Sequence, residues 1–393
     1  MNEPHVAFAP WPHHDQDECD AAARLLRLGR TNYWTGEEGR SFEKEYAAHL
    51  DRRWAIALHN GTLALELALV ALGVGPGDEV ITASRTFIAS ASAASMRGAT
   101  PIIADIDRSS GNLTAETVAP LINARTKAII PVHLGGWPVD MPVLMELARQ
   151  HGIPVIEDCA QAHGASVDGR PVGAFGDFAA FSFCQDKIMT TGGEGGLLAV
   201  DDEAWWRSAW AYKDHGKSFE AVYERHHAPG FRWLHESFGT NWRMLEVQAA
   251  IGRLQLSKLA AWSERRRVIG STIEHGLRGL PGLRVPIVPE RMQHAYYRAY
   301  VYVRPDALRG TWTRQRVIEE VVASGVPCFS GSCSEIYLEQ AFVRAGIGPS
   351  TRLPVARELG ETSLAFLCHP TLSDEAVART VDVVRSVVQR ATR

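Results

Sequence analysis

The sequence predicts an α/β protein with a mainly parallel sheet, helices on both faces, and a smaller C-terminal α+β domain. Two observations support this fold class. Short apolar runs alternate with helical stretches from residue 54 to residue 200, as in parallel sheets. A long helical pattern then begins near Glu246 and leads into a segment with fewer strands.

Two helices are expected before the first strand. Residues 17–28 have helical spacing, and Gly29 follows them as a natural C-cap. Residues 32–36 form a predicted loop. A second helix is predicted to start at Ser41, whose hydroxyl would be the N-cap.

Seven strands are predicted for the sheet, at 54–58, 79–83, 101–104, 128–132, 155–157, 178–183 and 197–200. Residues 203–240 are rich in Trp, His, Arg and Gly and have weak periodicity, so we interpret them as a long functional excursion near the active site. Within it, the helical spacing of Trp205, Trp206 and Trp210 favours core packing.

With 393 residues, the chain is long enough for two domains. We divide it into an N-terminal segment (1–30), a large domain (31–255) and a small C-terminal domain (256–393). The small domain is predicted to contain one strand and two helices, at 297–303, 313–323 and 373–391.

Composition limits the possible classes. Lys plus Arg number 41 against 45 Asp plus Glu, and this net charge of -4 gives no basic surface for nucleic acid. The six cysteines show neither metal-ligand nor disulfide spacing, so we expect no metal site, reduced thiols and a cytoplasmic location. The first five residues lack the features of a secretion signal, and no apolar run approaches the ~20 residues that span a membrane.

The most informative stretch is 181–196, in which one lysine follows an apolar strand and precedes a glycine-rich turn. Lys187 can there reach into a cleft. A partly desolvated lysine loses its proton readily and forms a Schiff base with an aldehyde cofactor. A solvated surface lysine is the alternative, so the choice depends on a second segment upstream.

That second segment ends a short buried strand with Asp158. Ligands of open α/β sheets bind outside the carboxyl ends of strands. Pyridoxal phosphate needs a carboxylate against its pyridine nitrogen, because the protonated ring is the electron sink. Gln161, three residues on, can reach the same side of the ring. A helix N-cap or a salt bridge also fits Asp158, but Asp158 and Lys187 together are more specific than either alone.

A phosphate site is predicted where the strand 54–58 turns into a helix. Gly61 and Thr62 are expected at the helix start, where free backbone amides and the dipole favour an anion. Ser182 can add a hydroxyl to the same phosphate. Phe87 either stacks on a planar ring or belongs to the core.

In these motifs and their order the chain resembles the sugar aminotransferases typified by DegT, DnrJ and StrS. The matching segments are 60–62, 86–87, 157–165, 182–187, 192–196 and 239–244. The likeness runs from about Tyr33 to the C-terminal helix. It implies the aspartate-aminotransferase fold, also called fold type I, with pyridoxal 5'-phosphate bound by the large domain.

The resemblance also implies residue roles. Lys187 would carry the cofactor as a covalent aldimine and shuttle protons, Asp158 would pair with the pyridinium, and Gln161 would contact the ring's phenolic oxygen.

The remaining roles concern the phosphate and the ring face. The residues implied as the phosphate cradle are Gly61, Thr62 and Ser182. Phe87 would stack on the ring, and Asn241 would reach the phosphate from the partner subunit of a homodimer with shared active sites.

The implied function is transamination from L-glutamate, or glutamine, to a keto sugar. A nucleotide-linked 4-keto or 3-keto deoxysugar is expected, for surface polysaccharide or natural-product biosynthesis. Lys187 argues for transamination, since family members with histidine there are dehydratases. The polar segment 329–337 departs from the family pattern, so a keto-cyclitol, as in aminoglycoside routes, stays a near alternative. A non-catalytic regulatory protein that binds the cofactor is the alternative of another class.

Other polar residues receive structural interpretations. His133 and His163 are expected to be hydrogen-bonded structural histidines. Glu194 is expected to fix the glycine turn by accepting backbone hydrogen bonds. Residues 214–217 either touch substrate or form a solvated loop.

Overall fold

A sheet of seven strands forms the centre of the protein, which the computed structural model describes over residues 6–392. All strands, in chain order, are β1 (Trp54–Leu58), β2 (Glu79–Ala83), β3 (Thr100–Ala104), β4 (Thr126–Ile130), β5 (Ile156–Asp158), β6 (Ser166–Val167), β7 (Arg170–Pro171), β8 (Phe178–Ser182), β9 (Gly196–Val200), β10 (Leu283–Arg284), β11 (Met292–Gln293), β12 (Arg298–Val303) and β13 (Ser363–Leu367).

The strands of the central sheet lie in the order β3-β2-β4-β5-β8-β9-β1. Parallel bridges from Ile129 to Val155 and from Val132 to Asp158 join β4 to β5. Only β9 runs against its neighbours β8 and β1, so the sheet is mainly parallel, as predicted. The predicted strand bounds differ from the observed ones by two residues at most.

Helices cover both faces of this sheet. All helices, in chain order, are α1 (Gln16–Leu28), α2 (Glu38–His49), α3 (Gly61–Ala71), α4 (Ala89–Met96), α5 (Ala115–Val118), α6 (Met141–His151), α7 (Glu203–Tyr212), α8 (Phe219–Tyr223), α9 (Glu246–Leu277), α10 (Arg314–Ala323), α11 (Gln340–Ala345), α12 (Pro354–Thr362) and α13 (Asp374–Ala391). Leu197 of β9 packs with side chains of α2 and α9, and Leu198 packs with side chains of α3 and α7. Neighbouring strand residues point to opposite faces, so one strand serves two cores.

The first two helices test the predicted caps. Gly29 ends α1 in the left-handed conformation, with φ 66, as expected. The predicted start at Ser41 is wrong, because α2 begins at Glu38. The carboxylate of Glu246 accepts hydrogen bonds from the amides of Glu38 at 2.6 Å and Gly39 at 3.1 Å. A cap from a distant helix therefore replaces the local serine cap.

A second core surrounds the antiparallel sheet β10-β12-β13, between the end of α9, α10 and α13. Val6 and Phe8 pack against this core, which ties the N-terminal segment to it. The proposed boundary between 255 and 256 lies inside α9. The division into 1–30, 31–255 and 256–393 stays a prediction, and residues 1–5 of its first segment lie outside the described residues.

The excursion predicted at 203–240 is partly helical. It contains α7 and α8, and Trp206 and Trp210 are buried in the core as their spacing indicated. The functional role of this excursion stays a prediction. Across residues 6–392, every helix is too short or too polar to cross a membrane.

Candidate active site

A cavity of about 400 Å³ opens at the carboxyl ends of β1, β2, β5 and β8. Open parallel sheets bind ligands at this edge. Seven of the eight predicted site residues line the cavity: Gly61, Thr62, Phe87, Asp158, Gln161, Ser182 and Lys187. The fold thus brings segments more than a hundred residues apart to one place.

Asp158 is the last residue of β5 and is 6% exposed. The hydroxyl of Ser90 donates to its Oδ2 at 2.7 Å, and the amide of Ala160 donates to Oδ1 at 3.1 Å. Burial raises the pKa of this carboxyl, while the Ser90 and Ala160 donors and the charge of Lys187 act in the opposite direction. Within residues 6–392 no cation lies within 4 Å of it, so the carboxylate can pair with a cationic group in the cavity.

Lys187 lies in the turn between β8 and β9. Its Nζ is 3.8 Å from the carboxylate of Asp186 and 5.2 Å from the ring centroid of Tyr297. The Tyr297 hydroxyl donates to Asp186. The indole of Trp11 donates to the Lys187 carbonyl at 2.8 Å. Because the lysine side chain is only 16% exposed, it is a cavity group and not the solvated surface lysine of the alternative interpretation.

The predicted phosphate site lies where β1 turns into α3. Asn60 caps the helix by accepting from the amide of Leu63 at 3.0 Å. Helix geometry leaves the amides of Gly61 and Thr62 without intrahelical partners. A Cβ on Gly61 would lie 2.6 Å from the Cβ of Ser182, so this close approach requires glycine. Two free amides and a hydroxyl therefore meet at one helix N-terminus, which favours a phosphate.

Phe87 and Gln161 border the rest of the cavity. Phe87 is 67% exposed, so it does not belong to the core. Oε1 of Gln161 accepts from the amide of Gly135 at 2.7 Å, which fixes the orientation of the side-chain amide. Its Nε2 makes no hydrogen bond within residues 6–392 and remains available as a donor.

These features fit pyridoxal phosphate. The phosphate would meet the Gly61 amide and the Ser182 hydroxyl. The pyridine nitrogen would meet Asp158, a buried carboxylate with no cation within 4 Å among residues 6–392. Phe87 offers an open ring face, and Lys187 offers the amine for the aldehyde.

Asn241 is the one predicted site residue that does not line the cavity. It is exposed, and its backbone pairs with Asp214. The Arg243 guanidinium also pairs with Asp214, which anchors the segment. Within a single chain, Asn241 and Lys187 are therefore not brought together.

The two histidines are hydrogen-bonded structural residues, as predicted. His133 accepts the Val139 amide at Nδ1, so its Nε2 donates to Glu157 at 3.2 Å. His163 donates from Nε2 to the Ser182 carbonyl at 2.9 Å. Burial lowers the pKa of His163 to about 3, so the ring stays neutral and positions Ser182.

Two other interpretations need correction. The carboxylate of Glu194 accepts no backbone hydrogen bond among the described residues; it lines the cavity instead. Asp214 is neither a substrate contact in this cavity nor a solvated loop residue, because it is buried among Trp34, Lys217 and Arg243.

Sequence reasoning missed Ser90 and Asp186. Ser90 contacts Asp158 across 68 positions, and Tyr297 contacts Asp186 across 111. Their local patterns carry no signal of these contacts. The position of Ser90, one turn beyond Phe87, is the only hint that the sequence offers.

Comparison with known proteins gives consistent results. A family model described as the DegT/DnrJ/EryC1/StrS aminotransferase family matches residues 12–385. The chain is 36% identical to UDP-N-acetyl-3-dehydro-alpha-D-glucosamine 3-aminotransferase of Acidithiobacillus ferrooxidans, over 91% of this chain and 90% of that protein. It is 35% identical to dTDP-3-amino-3,4,6-trideoxy-alpha-D-glucose transaminase of Streptomyces venezuelae, over 95% and 93%. The crystal structure of an aminotransferase from Psychrobacter cryohalolentis superimposes with a TM-score of 0.96 at 53% identity, covering 98% of this chain and 100% of that one.

Proposed function

The chain belongs to the DegT/DnrJ/EryC1/StrS aminotransferase family and is a pyridoxal-phosphate-dependent transaminase, and we propose that it transfers an amino group from L-glutamate to a nucleotide-linked keto sugar. One observation carries this proposal. A largely buried lysine amine lines one cavity together with a buried carboxylate that has no cation within 4 Å in the described part of the chain, and free helix amides lie next to them. A proton-transfer base, an anionic anchor and a phosphate cradle are the parts that this chemistry requires.

Each part has a proposed residue. Gly61, Thr62 and Ser182 bind the phosphate, with Ser182 held in place by His163. Asp158 faces the pyridine nitrogen, and Lys187 holds the cofactor covalently through Nζ.

Pyridoxal phosphate, when bound, supplies an electron sink that stabilises negative charge at the reacting carbon. Once its amine is released by the donor, Nζ of Lys187 accepts the proton that leaves the donor's α-carbon. In the second half-reaction the same amine returns a proton to the carbon of the amino sugar. General acid–base help of this kind contributes ~10²–10⁴-fold in rate. The Asp158 carboxylate provides a buried negative charge, which favours protonation of the ring nitrogen.

The acceptor is proposed from the relatives. Both curated relatives described above carry names that place the amino group at carbon 3 of a nucleotide-linked sugar. A 3-keto nucleotide sugar is therefore the first acceptor to test, followed by 4-keto sugars. A keto-cyclitol is retained as a comparison substrate.

The active site is proposed to be shared between two subunits. Asn241 is exposed and lies outside its own chain's cavity, while the half-buried segment around it is anchored by buried Asp214. In a closed two-fold dimer, the commonest homo-oligomer, such a segment can reach the partner's phosphate site.

The test follows the two half-reactions separately. L-glutamate is added to the purified holoenzyme, and the visible absorbance of the bound cofactor should be lost as 2-oxoglutarate forms. The aminated enzyme is then mixed with UDP- or dTDP-linked 3-keto sugars, 4-keto sugars or a keto-cyclitol, and the amino product is identified by mass spectrometry. Absence of 2-oxoglutarate would contradict L-glutamate as the amino donor. Amination of the keto-cyclitol alone would contradict a nucleotide-linked sugar as the acceptor.

A further inference from the structure

Two buried hydroxyls form a chain that ends on Asp158. The hydroxyl of Ser90 lies 2.7 Å from Oδ2 of Asp158, and the hydroxyl of Thr86 lies 2.7 Å from the hydroxyl of Ser90. Ser90 and Thr86 are both almost fully buried. Buried polar groups that form such a chain polarise one another.

The geometry fixes the direction of the hydrogens. Ser90 has one hydroxyl proton and three acceptors in reach: the Asp158 carboxylate at 2.7 Å, the Thr86 hydroxyl at 2.7 Å and the Phe87 carbonyl at 3.4 Å. A charged acceptor at this short distance takes the proton. The Ser90 oxygen then accepts, so Thr86 donates to it. Both protons therefore point toward Asp158, which favours its ionised form.

The same hydroxyls also hold the turn that carries Phe87. Thr86 and Ser90 flank this residue, and the Ser90 amide donates to the Phe87 carbonyl at 3.2 Å. Through this turn, one short hydrogen-bonded chain connects Phe87, proposed for the ring face, with Asp158, proposed for the ring nitrogen.

We propose that Ser90 is a positioning residue that keeps the proton shared by Asp158 and the cofactor on the ring nitrogen, with Thr86 holding Ser90 in the donating orientation. This inference rests on the proposed function. Without the Ser90 donor, Asp158 becomes the stronger base, and the shared proton moves toward its carboxylate. A hydrogen bond to a charged group corresponds to about a tenfold to hundredfold change in this proton distribution. Lys187 and His133 also act on Asp158, and they stay unchanged in the variants.

The experiment uses holoenzyme loaded with ¹⁵N-labelled pyridoxal phosphate at neutral pH. The ¹⁵N chemical shift of the ring nitrogen reports whether it is protonated. Ser90→Ala is compared with Ser95→Ala, the same change at an exposed position of α4. Ser90→Thr restores a hydroxyl, and Thr86→Val removes only the outer one.

In Ser90→Ala the resonance should move toward the value of an unprotonated pyridine, and kcat should fall about tenfold to hundredfold while KM for L-glutamate changes little. Ser90→Thr should return both values toward wild type, and Thr86→Val should move them less. Ser95→Ala should match wild type. Equal ¹⁵N shifts in Ser90→Ala and Ser95→Ala would overturn the proposal. If wild type itself shows no bound ¹⁵N resonance, the proposed function fails instead. If Ser90→Ala does not fold, Thr86→Val is compared with wild type instead. Identical ¹⁵N shifts in these two proteins would refute the role of the hydrogen-bonded chain.

Discussion

The contact between α3 and β8 makes Gly61→Ala a sharp test of the phosphate site. The new Cβ would lie 2.6 Å from Ser182 Cβ and 3.0 Å from its Cα. Ordinary contact begins near 3.4 Å, so helix and strand must separate by about 0.8 Å, and overpacking of this kind costs ~1–3 kcal/mol. Replacing glycine regains ~0.4–1 kcal/mol through the unfolded chain. The net loss of stability should therefore be about 1–2 kcal/mol.

The same displacement should weaken binding of pyridoxal phosphate. Moving Ser182 away from the helix amides removes one hydrogen bond to a charged group, worth ~1.5–3 kcal/mol. The dissociation constant should rise at least about tenfold. Titration of the apoenzyme with pyridoxal phosphate measures this change, and thermal melting of the apoenzyme measures the stability loss.

Gly75→Ala is the matched control. Its Cβ would meet no atom within 4 Å, and its φ lies outside the left-handed region. This variant should melt at or slightly above the wild-type temperature and bind the cofactor normally. If Gly61→Ala behaves like Gly75→Ala in both assays, the close approach of α3 to β8 does not build the phosphate site.

Four further variants test other parts of the molecule. Lys187→Ala should abolish steady-state turnover while melting near the wild-type temperature, since a cavity lysine contributes little packing; retained turnover would refute its role. Asp158→Asn keeps the shape of the side chain but removes its charge. Because an opposite charge shifts a pKa by ~1–3 units, the ring nitrogen should lose its proton more readily and kcat should fall by orders of magnitude. A rate within about threefold of wild type would mean that another group keeps the ring nitrogen protonated. Burial raises the pKa of Glu274 from 4.5 to about 7, so the stability that protonated Glu274 contributes is lost as pH rises through that range. In urea denaturation, the free energy of unfolding of Glu274→Gln should therefore rise relative to wild type by up to ~3 kcal/mol between about pH 5 and pH 8. A difference that does not change with pH would contradict this expectation. Mixing Lys187→Ala with Asn241→Ala subunits should restore one of the two sites in each mixed dimer, and no recovery after verified subunit exchange would exclude the shared site.

The parts of the site that follow from chain order were accessible from the sequence. Asp158 and Lys187 stand at or just after strand ends, and the strand-end rule alone puts both at one edge of a parallel sheet. Gly61 marks a strand-to-helix turn by its own chemistry. These inferences need only the identity of a residue and the element that precedes it.

Contacts across the fold were not accessible. Ser41 looks like a cap, but the carboxylate of Glu246, 208 positions from Glu38, satisfies the helix amides instead. Ser90 gains its importance only because the first turn of α4 lies against Asp158 at the end of β5. The position of Asn241 in the assembled site depends on a second chain and stays a prediction.

The antiparallel strand β9 has a consequence for how the protein is made. β1 lies at the edge of the sheet, where its partner strand is β9, with Trp54 opposite Val200, and Leu58 makes one further bridge to Arg243. At ~5–20 residues per second, a ribosome needs on the order of 10–30 s to reach Val200 after Trp54. During that time the partner strand of β1 has not yet been synthesised. We expect the cofactor pocket to close late in synthesis, so nascent chains that stop before β9 should expose β1 and depend on chaperones.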